Sequence, residues 1–426
     1  MDDGGACRYR FLNEGVSSVV FAFTDDAGTG MVVRVPKVPY RDPRDDDRAR
    51  QRICAVFSAL LGSDYVSREE LVMIPGVTLR AMLDAARSRR SRRFVALFDS
   101  DAVDAGASWA AWTMPDLTRV HAQSSEGQFA VELKPKWGFL PDGPGTTDVQ
   151  RRVCRTCIYQ FLKSDEGRVA SVSQYCPLDM FNDDAAARTR ALHCMFRTPQ
   201  NHVVLFDSAG RMVDAESHAL SVDDLADLIG SVLTANRDLL ARIQSAQLLT
   251  GLTMRQVEHV AAKLSAEQWA AFQDEPLTDD LVQRISRAHQ QSTRMKNFRC
   301  LRSPAGYASH VKTVDDTVRP VVPLDVGDDP VDTLRKVLLE MTARDVSIMV
   351  SFVPAAVATD QAPNGIRGPP VRSVDACGRT WLYKIGVIDL ETKYPKRMAH
   401  WCERDRAMTA HFYDLCRSVH NPQPTR

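Results

Sequence analysis

The stretch Val131–Phe139, VELKPKWGF, alternates charged and apolar side chains. Glu132, Lys134 and Lys136 would project from one face of a strand, because successive side chains of a strand point to opposite faces. An acid and two ammonium groups are costly to bury unless charged groups meet them. The stretch therefore predicts a strand with one face on an apolar core and the other facing a charged partner.

The composition predicts a folded chain of two or three compact units. Of its 426 residues, 44% are hydrophobic, which is enough for a sizeable core. The 54 Lys and Arg residues balance the 54 Asp and Glu residues, so a globally basic nucleic-acid-binding protein is not indicated. A local basic pocket remains compatible with this balance, because net charge does not fix the distribution of charge.

We expect no targeting segment and no membrane segment. The start, MDDGGACRYRF, lacks a basic region followed by an apolar one. The most apolar stretch, VSIMVSFVPAAVA from Val346, is too short to span a bilayer and contains Pro354. Ten scattered cysteines favour reduced thiols over a disulfide framework. These features predict a cytoplasmic or nuclear protein, and we expect a monomer.

Periodicity predicts a strand-rich first third and a larger α+β remainder. FLNEGVSSVVFAF and GMVVRVPKV read as a hairpin with its turn near residues 25–30, and TDQAPNGIRGPPVRSVDACGR as a loop. A small β-rich lobe over a larger lobe forms a cleft, and such clefts often hold a nucleotide. Further strands are predicted in NHVVLF, VSIMVSFV and TWLYKIGVIDL, and helices near 45–61, 148–163, 183–196, 222–245, 254–264, 279–291, 331–345 and 395–419.

Residues of the first strands are candidates for nucleotide binding. The turn Asn13–Ser18 is rich in small residues, so its backbone N–H groups could approach phosphates. An ordinary hairpin turn would use Gly15 equally well. Arg34 and Lys37 would project from the next strand, toward a ligand or toward solvent.

Two acids at strand ends are candidates for catalysis. Asp345 lies at a helix-to-strand junction, and Asp389 ends an apolar strand. An acid pair placed in a cleft can bind Mg²⁺ or accept a proton. Either acid alone could equally cap a helix or a turn.

The segment after Asp389 carries a basic pattern. Lys393, Arg397 and Trp401 are spaced four apart, which predicts one helical face. Lys393 and Lys396 would lie near the helix N-terminus, where cations are unfavourable unless an anion binds there. A solvated amphipathic helix is the alternative.

Six segments, taken together, resemble one enzyme family. They are ELKPKWGF (Glu132–Phe139), the helix Arg152–Lys163, YCPLDMF (Tyr175–Phe181), TPQNHV (Thr198–Val203), DVSIM (Asp345–Met349) and the run Ile388–Met398, which contains IDLETK and KRM. In this order they resemble the inositol-pentakisphosphate 2-kinase family, a distant relative of protein kinases. The resemblance implies a two-lobed, distantly protein-kinase-like α+β fold. A small β-rich N-terminal lobe would cover residues 1–113. A larger α+β C-terminal lobe with an inositol-phosphate-binding insertion would cover residues 114–426.

The resemblance also implies a reaction and its site. ATP, with Mg²⁺, would donate its γ-phosphoryl group to the 2-hydroxyl of inositol 1,3,4,5,6-pentakisphosphate, giving inositol hexakisphosphate. Asp345 would activate that hydroxyl with the help of Lys134, and Asp389 and Asp345 would bind Mg²⁺. The family holds the nucleotide at the positions of Gly15, Val16, Ser18, Arg34 and Glu132. It meets the inositol phosphate or the transferring phosphate at Arg93, Lys134, Lys136, Lys163, Asn201, His202, Lys393, Arg397 and Trp401.

The chain departs from the family pattern at several positions. The first loop has Val16-Ser17-Ser18 where the family is richer in glycine, which predicts a looser approach to phosphates. His202 replaces an Asn, and Trp401 replaces a residue that is normally Tyr. Some members bind zinc through two His and two Cys, but here the region offers His289, Cys300 and His310, with Ser303 where a second Cys would stand.

Zinc is therefore not expected. The CxxC pair Cys154 and Cys157 has no second CxxC to join it, so ordinary helix packing is predicted there as well.

Two alternatives to this kinase stay open. A non-catalytic inositol phosphate binding protein would suit the glycine-poor loop, although it would have no need of Asp345 and Asp389 together with Lys134. An inositol polyphosphate kinase of other positional specificity would carry the signature P-x-x-x-D-x-K-x-G, which the sequence lacks.

Overall fold

Within the residues that it describes, the chain forms two antiparallel sheets flanked by helices, which confirms the α+β class. It is seen here as a computed structural model. None of the helices in those parts is long and apolar enough to cross a membrane. The described residues are 9–26, 28–38, 42–120, 126–288, 295–311, 329–357, 369–391 and 393–420.

The smaller sheet comes from the first part of the chain, and its strand order is β1-β2-β3-β5-β4. The predicted hairpin is present as β2 and β3, closed where the Asp25 N–H donates to the Thr29 carbonyl at 3.0 Å. One face of the sheet packs on helix α2, which spans Gly76–Ala86. The strands are β1 Arg10–Glu14, β2 Ser18–Thr24, β3 Gly30–Pro36, β4 Glu70–Pro75 and β5 Ser108–Pro115.

The larger sheet has the order β10-β11-β9-β6-β7-β8. Its edge strand β10 lies where a loop was predicted, and that prediction was wrong for this segment. Cys377 and Gly378 both adopt positive φ (51° and 72°), the geometry of a two-residue hairpin turn. Positions 359–368 of the predicted loop lie outside the described residues. The strands are β6 Phe129–Leu133, β7 Val203–Phe206, β8 Met212–Val213, β9 Ser347–Pro354, β10 Arg372–Ala376 and β11 Arg379–Ile388.

Two predicted helices are each divided in two. Cys154 is extended and caps the helix that follows it, because its Sγ accepts the Cys157 N–H. Asn236 leaves helical geometry and donates its side-chain N–H to the Val232 carbonyl at 2.7 Å. The remaining helices, with α2 given above, are α1 Pro43–Leu61, α3 Arg92–Leu97, α4 Asp148–Arg152, α5 Arg155–Asp165, α6 Pro177–Met180, α7 Ala185–Arg197, α8 Val222–Ala235, α9 Arg237–Ala246, α10 Met254–Ala261, α11 Ala266–Asp274, α12 Asp279–Ala288, α13 Pro304–Ala308, α14 Pro330–Ala343 and α15 Met398–His420.

The largest apolar core covers one face of the larger sheet. Val131, Val350 and Ile385 from three adjacent strands pack there against α7, α8 and α9. Helix α1 joins the same core through Phe57, although it falls within the predicted N-terminal lobe. The lobe boundary at residue 113 stays a prediction.

The VELKPK strand is shorter than predicted. It ends at Leu133, and although the Lys134 N–H still donates to the His202 carbonyl at 2.8 Å, regular pairing stops there. Pro135 has no N–H to donate, and Lys136 adopts a left-handed φ of 62°. The prediction that Lys134 and Lys136 belong to one strand face was therefore wrong, and both lysines lie in an irregular segment beyond the sheet edge.

Gly138 in this segment lies against the ring of Phe181, which is fully buried. A Cβ at residue 138 would stand 2.3 Å from Phe181 Cδ2. We expect Gly138→Ala to lower the free energy of unfolding by about 1–3 kcal/mol, because the buried ring must shift. Urea denaturation measures it. Gly106→Ala is the matched control, since the nearest atom lies 3.5 Å away. Equal stability of the two variants would contradict the packing described.

Candidate active site

The end of β6, the end of β11 and the start of β9 lie side by side, where they form one edge of the larger sheet. Strand β9 runs antiparallel to both β6 and β11, and Ser347 at its start pairs with Ile388 at the end of β11. The residues just beyond these ends, Lys134, Asp345 and Asp389, are therefore brought together. The sequence predicted both acids at strand ends but not that they share an edge.

Lys134 lies at the centre of a hydrogen-bonded group. Its Nζ donates to Asp389 Oδ2 at 2.5 Å and to Ser347 Oγ at 2.7 Å, and it lies 3.6 Å from Glu132 Oε1. The Ser347 hydroxyl also lies 2.7 Å from Glu132 Oε1 and 2.8 Å from Asp389 Oδ2. One ammonium group thus holds two carboxylates and a hydroxyl in a fixed arrangement.

Charge pairing outweighs burial in this group. Burial alone would lower the pKa of Lys134, but Asp389 and Glu132 raise it above its usual value. Burial would raise the pKa of Asp389, but Lys134 lowers it. Both groups are therefore ionised at neutral pH. Asp389 also adopts a positive φ of 64°, which is strained for a residue other than glycine.

Asp345 stands between two other lysines. Lys393 Nζ lies 2.9 Å from its Oδ2, and Lys136 Nζ lies 3.6 Å from its Oδ1. Burial would raise the pKa of Asp345, but Lys393 and Lys136 hold it below its usual value. The carboxylate is half exposed (52%), so it is charged, hydrogen-bonded and reachable from outside.

Side chains from distant elements hold the irregular segment Lys134–Gly138. Gln247 accepts the Gly138 N–H and donates to the Lys136 carbonyl, each at 2.8 Å. Gln244 donates to the Gly138 carbonyl at 2.6 Å, and the Tyr175 hydroxyl donates to the Pro135 carbonyl at 2.8 Å. Gln247 also reaches the Ala343 carbonyl at 3.2 Å, next to the Asp345 junction. One buried amide thus connects the backbone of Lys136 to the turn that precedes Asp345.

A second group of cations surrounds Tyr159 on α5. Arg404 and Arg168 donate to the Tyr159 hydroxyl at 2.6 Å and 3.0 Å, and Lys163 Nζ lies 4.8 Å from the ring centroid. Burial, with Arg168 and Arg404 nearby, lowers the pKa of Lys163. No salt bridge to Lys163 or Arg404 is found among the described residues. Cations held this close to one another favour an anion in their midst.

His202 joins the two groups of cations. Its side chain is 2% exposed and lies 3.3 Å from the Gln160 side-chain nitrogen. Burial, with Lys136 and Lys163 nearby, lowers the pKa of His202 to about 3. The neighbouring Asn201 is exposed.

The predicted nucleotide residues lie on the smaller sheet and its connection to the larger one. Arg34 donates to Ser18 Oγ at 3.1 Å and pairs with Glu391 at 2.8 Å, so it ties β3 to the segment after Asp389. Gly15 and Val16 form the turn that follows β1, in which the Gly15 N–H donates to the Ser18 carbonyl at 2.9 Å.

The residue before this turn is strongly anchored. Glu14 binds Arg90 at 2.7 Å and Lys37 at 2.9 Å, and the side chains of all three are at most 5% exposed. Lys37 therefore serves this buried group rather than a ligand or solvent. The group fixes the base of the turn, while Val16 at its tip is 73% exposed.

Three predicted ligand residues are not tied to these groups by any contact described. Arg93 is exposed on α3. Arg397 is exposed in a 3₁₀ turn at residues 395–397, and Lys393 precedes that turn. Trp401 packs on the core beneath α15. The single helical face predicted for Lys393, Arg397 and Trp401 was therefore wrong, since the α-helix begins only at Met398.

Several residues of the site were missed by the sequence reasoning, among them Ser347, Arg404, Gln247 and Gln244. Ser347 and Arg404 gave no pattern beyond ordinary strand and helix positions, although Ser347 stands two residues after Asp345. Gln247 and Gln244 lie on or next to a helix, where glutamine is common. Only their buried contacts reveal them.

The sequence matches a known protein family along nearly its whole length. A sequence model described as inositol-pentakisphosphate 2-kinase matches residues 11–407. The chain belongs to the inositol-pentakisphosphate 2-kinase family. The inositol-pentakisphosphate 2-kinase of rice (Oryza sativa subsp. indica) is 25% identical to it over 97% of this chain and 95% of that protein. The zebrafish (Danio rerio) enzyme is 28% identical over 52% of this chain and 47% of that protein. The Arabidopsis thaliana enzyme is 24% identical over 68% and 61%.

The predicted family is confirmed, and with it the class of enzyme, an inositol phosphate kinase. The zebrafish and Arabidopsis alignments leave much of those proteins unmatched, whereas the rice alignment spans nearly all of its length. The roles of individual residues stay predictions.

The lowered pKa of His202 predicts a pH dependence of stability. Between pH 6.5 and about 3 the unfolded state binds a proton that the folded state does not, so stability falls as pH falls. From about pH 7 to about pH 5, the wild type should lose about 2 kcal/mol more than His202→Asn. Urea unfolding at both pH values measures the difference. An equal loss in both proteins would mean that His202 titrates near its ordinary pKa.

Proposed function

We propose that the chain is an ATP-dependent inositol-pentakisphosphate 2-kinase, which converts inositol 1,3,4,5,6-pentakisphosphate to inositol hexakisphosphate. One observation carries the proposal for the site. Two ionised acids, Asp345 and Asp389, lie at one sheet edge, each held by lysine from the segment Lys134–Lys136. A phosphoryl transfer needs an acid beside the acceptor hydroxyl and charge compensation around the phosphates.

The acceptor would bind along the cations of the larger sheet. Five phosphates at about −1.5 to −2 each give a ligand of roughly −8 to −10. Lys136 and Lys393 beside Asp345, and Lys163 with Arg404 and Arg168 around Tyr159, offer positive charge from several separate segments. The proposed set is completed by Asn201, His202, Arg397, Trp401 and Arg93. Of these, Arg93 is the residue least supported by the described contacts.

Asp345 would accept the proton of the 2-hydroxyl. Its pKa below the usual range keeps it ionised at neutral pH, and its half-exposed carboxylate is open to the acceptor. Its present partners Lys136 and Lys393 would turn to the phosphates of the acceptor. Lys134 would neutralise charge on the transferring group, because its ammonium lies 2.5 Å from Asp389, the acid proposed to hold Mg²⁺.

The nucleotide would lie between the sheets. Gly15, Val16 and Ser18 would line its phosphates, with Arg34 and Glu132 alongside. Carboxylate oxygens suit Mg²⁺, and Asp389, with Asp345, would hold it. Bound Mg²⁺ would compensate charge on the ATP phosphates. The Glu14 group would keep the base of the turn in place despite its lack of glycine.

The proposal includes the overall architecture that is expected for the family. The two sheets would belong to two lobes, residues 1–113 and 114–426, in a distantly protein-kinase-like arrangement with an inositol-phosphate-binding insertion in the second. The Arg34–Glu391 pair would then cross the cleft. We propose a monomer of the cytoplasm or nucleus that binds neither nucleic acid nor membrane.

Replacement of Asp345 tests the catalytic role. With Mg-ATP and inositol 1,3,4,5,6-pentakisphosphate, we expect wild-type protein to form inositol hexakisphosphate, resolved by chromatography. Asp345→Ala should lower kcat by about 10²–10⁴-fold, the usual contribution of a general base, and leave acceptor binding by calorimetry largely intact. Asp101→Ala, at an exposed surface position, is the control. A variant at Asp345 with near wild-type kcat would refute the assignment.

The basic segment after β11 has a separate test. Lys393→Ala combined with Arg397→Ala should raise KM for the inositol phosphate about tenfold to a hundredfold, since charge-assisted hydrogen bonds to phosphates are lost. KM for ATP should change little. Lys263→Ala with Arg44→Ala, both exposed elsewhere, is the matched control. An equal rise in both KM values would place these residues outside the acceptor site.

The same assay distinguishes the two alternative functions from the proposed one and from each other. Tight binding of the pentakisphosphate without turnover by the wild type would identify a non-catalytic binding protein. A product with a diphosphate in place of a new monoester would identify a kinase of other specificity, because the 2-hydroxyl is the one free hydroxyl of this acceptor.

A further inference from the structure

An ion pair joins the smaller sheet to the segment that follows β11. Arg34 lies on β3, and its Nη2 atom stands 2.8 Å from Glu391 Oε1. The Arg34 Nε group donates to Ser18 Oγ at 3.1 Å. Arg34 is one of the residues proposed to bind the nucleotide phosphates, whereas Glu391 has no role in the proposed site. The carboxylate therefore lies on a cation that a ligand would need.

The position of Glu391 is set by the fold around it. Asp389 adopts a left-handed φ of 64°, which redirects the chain as it leaves β11. Leu390 packs against the largest apolar core. The hydroxyl of Thr342, a buried residue of α14, donates to the Glu391 carbonyl at 3.1 Å. Because the backbone is held in this way, the contact with Arg34 is not a chance encounter of two surface side chains.

Arg34 also lies close to the charge of Asp389. Burial would raise the pKa of Asp389, but Lys134 and Ser347, and to a smaller extent Arg34, lower it. The guanidinium of β3 therefore faces two carboxylates. Asp389 is also paired with Lys134, whereas no second salt bridge to Glu391 is found among the described residues. Arg34 is thus the cation that compensates the charge of Glu391.

A nucleotide phosphate and the Glu391 carboxylate would require the same guanidinium. Both are oxygen anions that arginine binds through charge-assisted hydrogen bonds. A phosphate that displaced Glu391 would have to break the ion pair. A phosphate that joined it would lie beside a like charge, which is unfavourable at short distance. In both cases the carboxylate opposes binding of the nucleotide.

We propose that Glu391 competes with the nucleotide phosphates for Arg34 and thereby lowers the affinity of the protein for ATP. The proposal rests on the proposed function, because it takes Arg34 as a ligand of those phosphates. The Glu391 side chain is 44% exposed, against 20% for Arg34. It can therefore turn to solvent when a phosphate takes its place, and no unpaired charge would be left buried.

The same competition would assist the release of product. When ADP leaves, Arg34 regains Glu391 as a partner, so the cation is not left without a counter-ion. Release of product limits the turnover of many enzymes. A carboxylate that returns to the arginine would shorten the time for which the nucleotide stays bound.

Removal of the Glu391 charge tests the proposal by a gain of affinity. The probe is the β,γ-imido analogue of ATP with Mg²⁺, titrated into the full chain by calorimetry at low salt and without acceptor. We expect Glu391→Gln to bind it about twofold to fivefold more tightly than wild type, the range for loss of a partly exposed ion pair. Glu216→Gln, which removes the same charge from an exposed turn elsewhere, should bind it as wild type does.

A shorter acid and a double-mutant cycle make the test specific. Glu391→Asp keeps the charge but withdraws it by one carbon, so we expect a smaller gain. In a protein that already carries Arg34→Gln, the further change Glu391→Gln should leave the affinity unchanged, because the cation is gone. Release of N-methylanthraniloyl-ADP, followed by stopped flow, should be slower from Glu391→Gln than from wild type.

The opposite results would overturn the proposal. Unchanged affinity in Glu391→Gln would show that the carboxylate does not compete, and weaker binding would show that the ion pair holds the two sheets around the nucleotide. A gain that persists beside Arg34→Gln would reflect long-range charge alone. A misfolded variant cannot produce the expected gain.

The titrations do not depend on turnover, so they separate this proposal from the proposed function. A chain that binds the analogue but transfers no phosphoryl group would fail as the proposed kinase and still show whether Glu391 competes. An active kinase with equal affinities in wild type and Glu391→Gln would refute the competition alone. Failure of all these proteins to bind the analogue would refute both proposals.

Discussion

The active-site edge depends on how the backbone between Lys134 and Gly138 is satisfied. The chain leaves the sheet there and runs through buried surroundings without regular structure, where an unpaired N–H or C=O is costly. Gln247, Gln244 and Tyr175 supply the missing partners. Because Gln247 also donates to the Ala343 carbonyl, the same side chain connects the backbone at Lys136 to the turn before Asp345.

The charges at this edge are arranged to be neutral before substrate arrives. Asp389, Asp345 and Glu132 lie beside Lys134, Lys136 and Lys393, so three carboxylates face three ammonium groups. Around Tyr159, Arg168 pairs with Glu166 at 2.9 Å, but no salt bridge to Lys163 or Arg404 is found among the described residues. A polyanion would therefore gain most of its binding free energy from the cations around Tyr159. At the first group it would replace the carboxylates as the partner of the lysines.

Much of the fold could be predicted from the sequence, because the alternation that indicates a strand is a property of neighbouring residues. The hairpin of the smaller sheet, the strands β9 and β11, and the acids at their ends were all predicted. The alternation of charged and apolar residues led to a strand prediction that extended to Lys136. The strand ends earlier because Pro135 has no N–H to donate and the pairing stops there. Ser347 and Gln247 were missed because their roles arise from partners far away in the chain. The contact between the Sγ atoms of Cys157 and Cys300, 3.8 Å apart, could not be predicted for the same reason.

We infer that the edge formed by Lys134, Lys136, Asp345 and the cations around Tyr159 is a binding site for a polyanion. Isothermal titration calorimetry with inositol 1,3,4,5,6-pentakisphosphate, in the presence of Mg²⁺ and a non-hydrolysable ATP analogue, tests this inference. We expect one site per chain, an affinity that falls steeply between about 50 and about 200 mM salt because charge attraction is screened, and no detectable binding of unphosphorylated inositol. Absence of binding, or an affinity indifferent to salt, would contradict it.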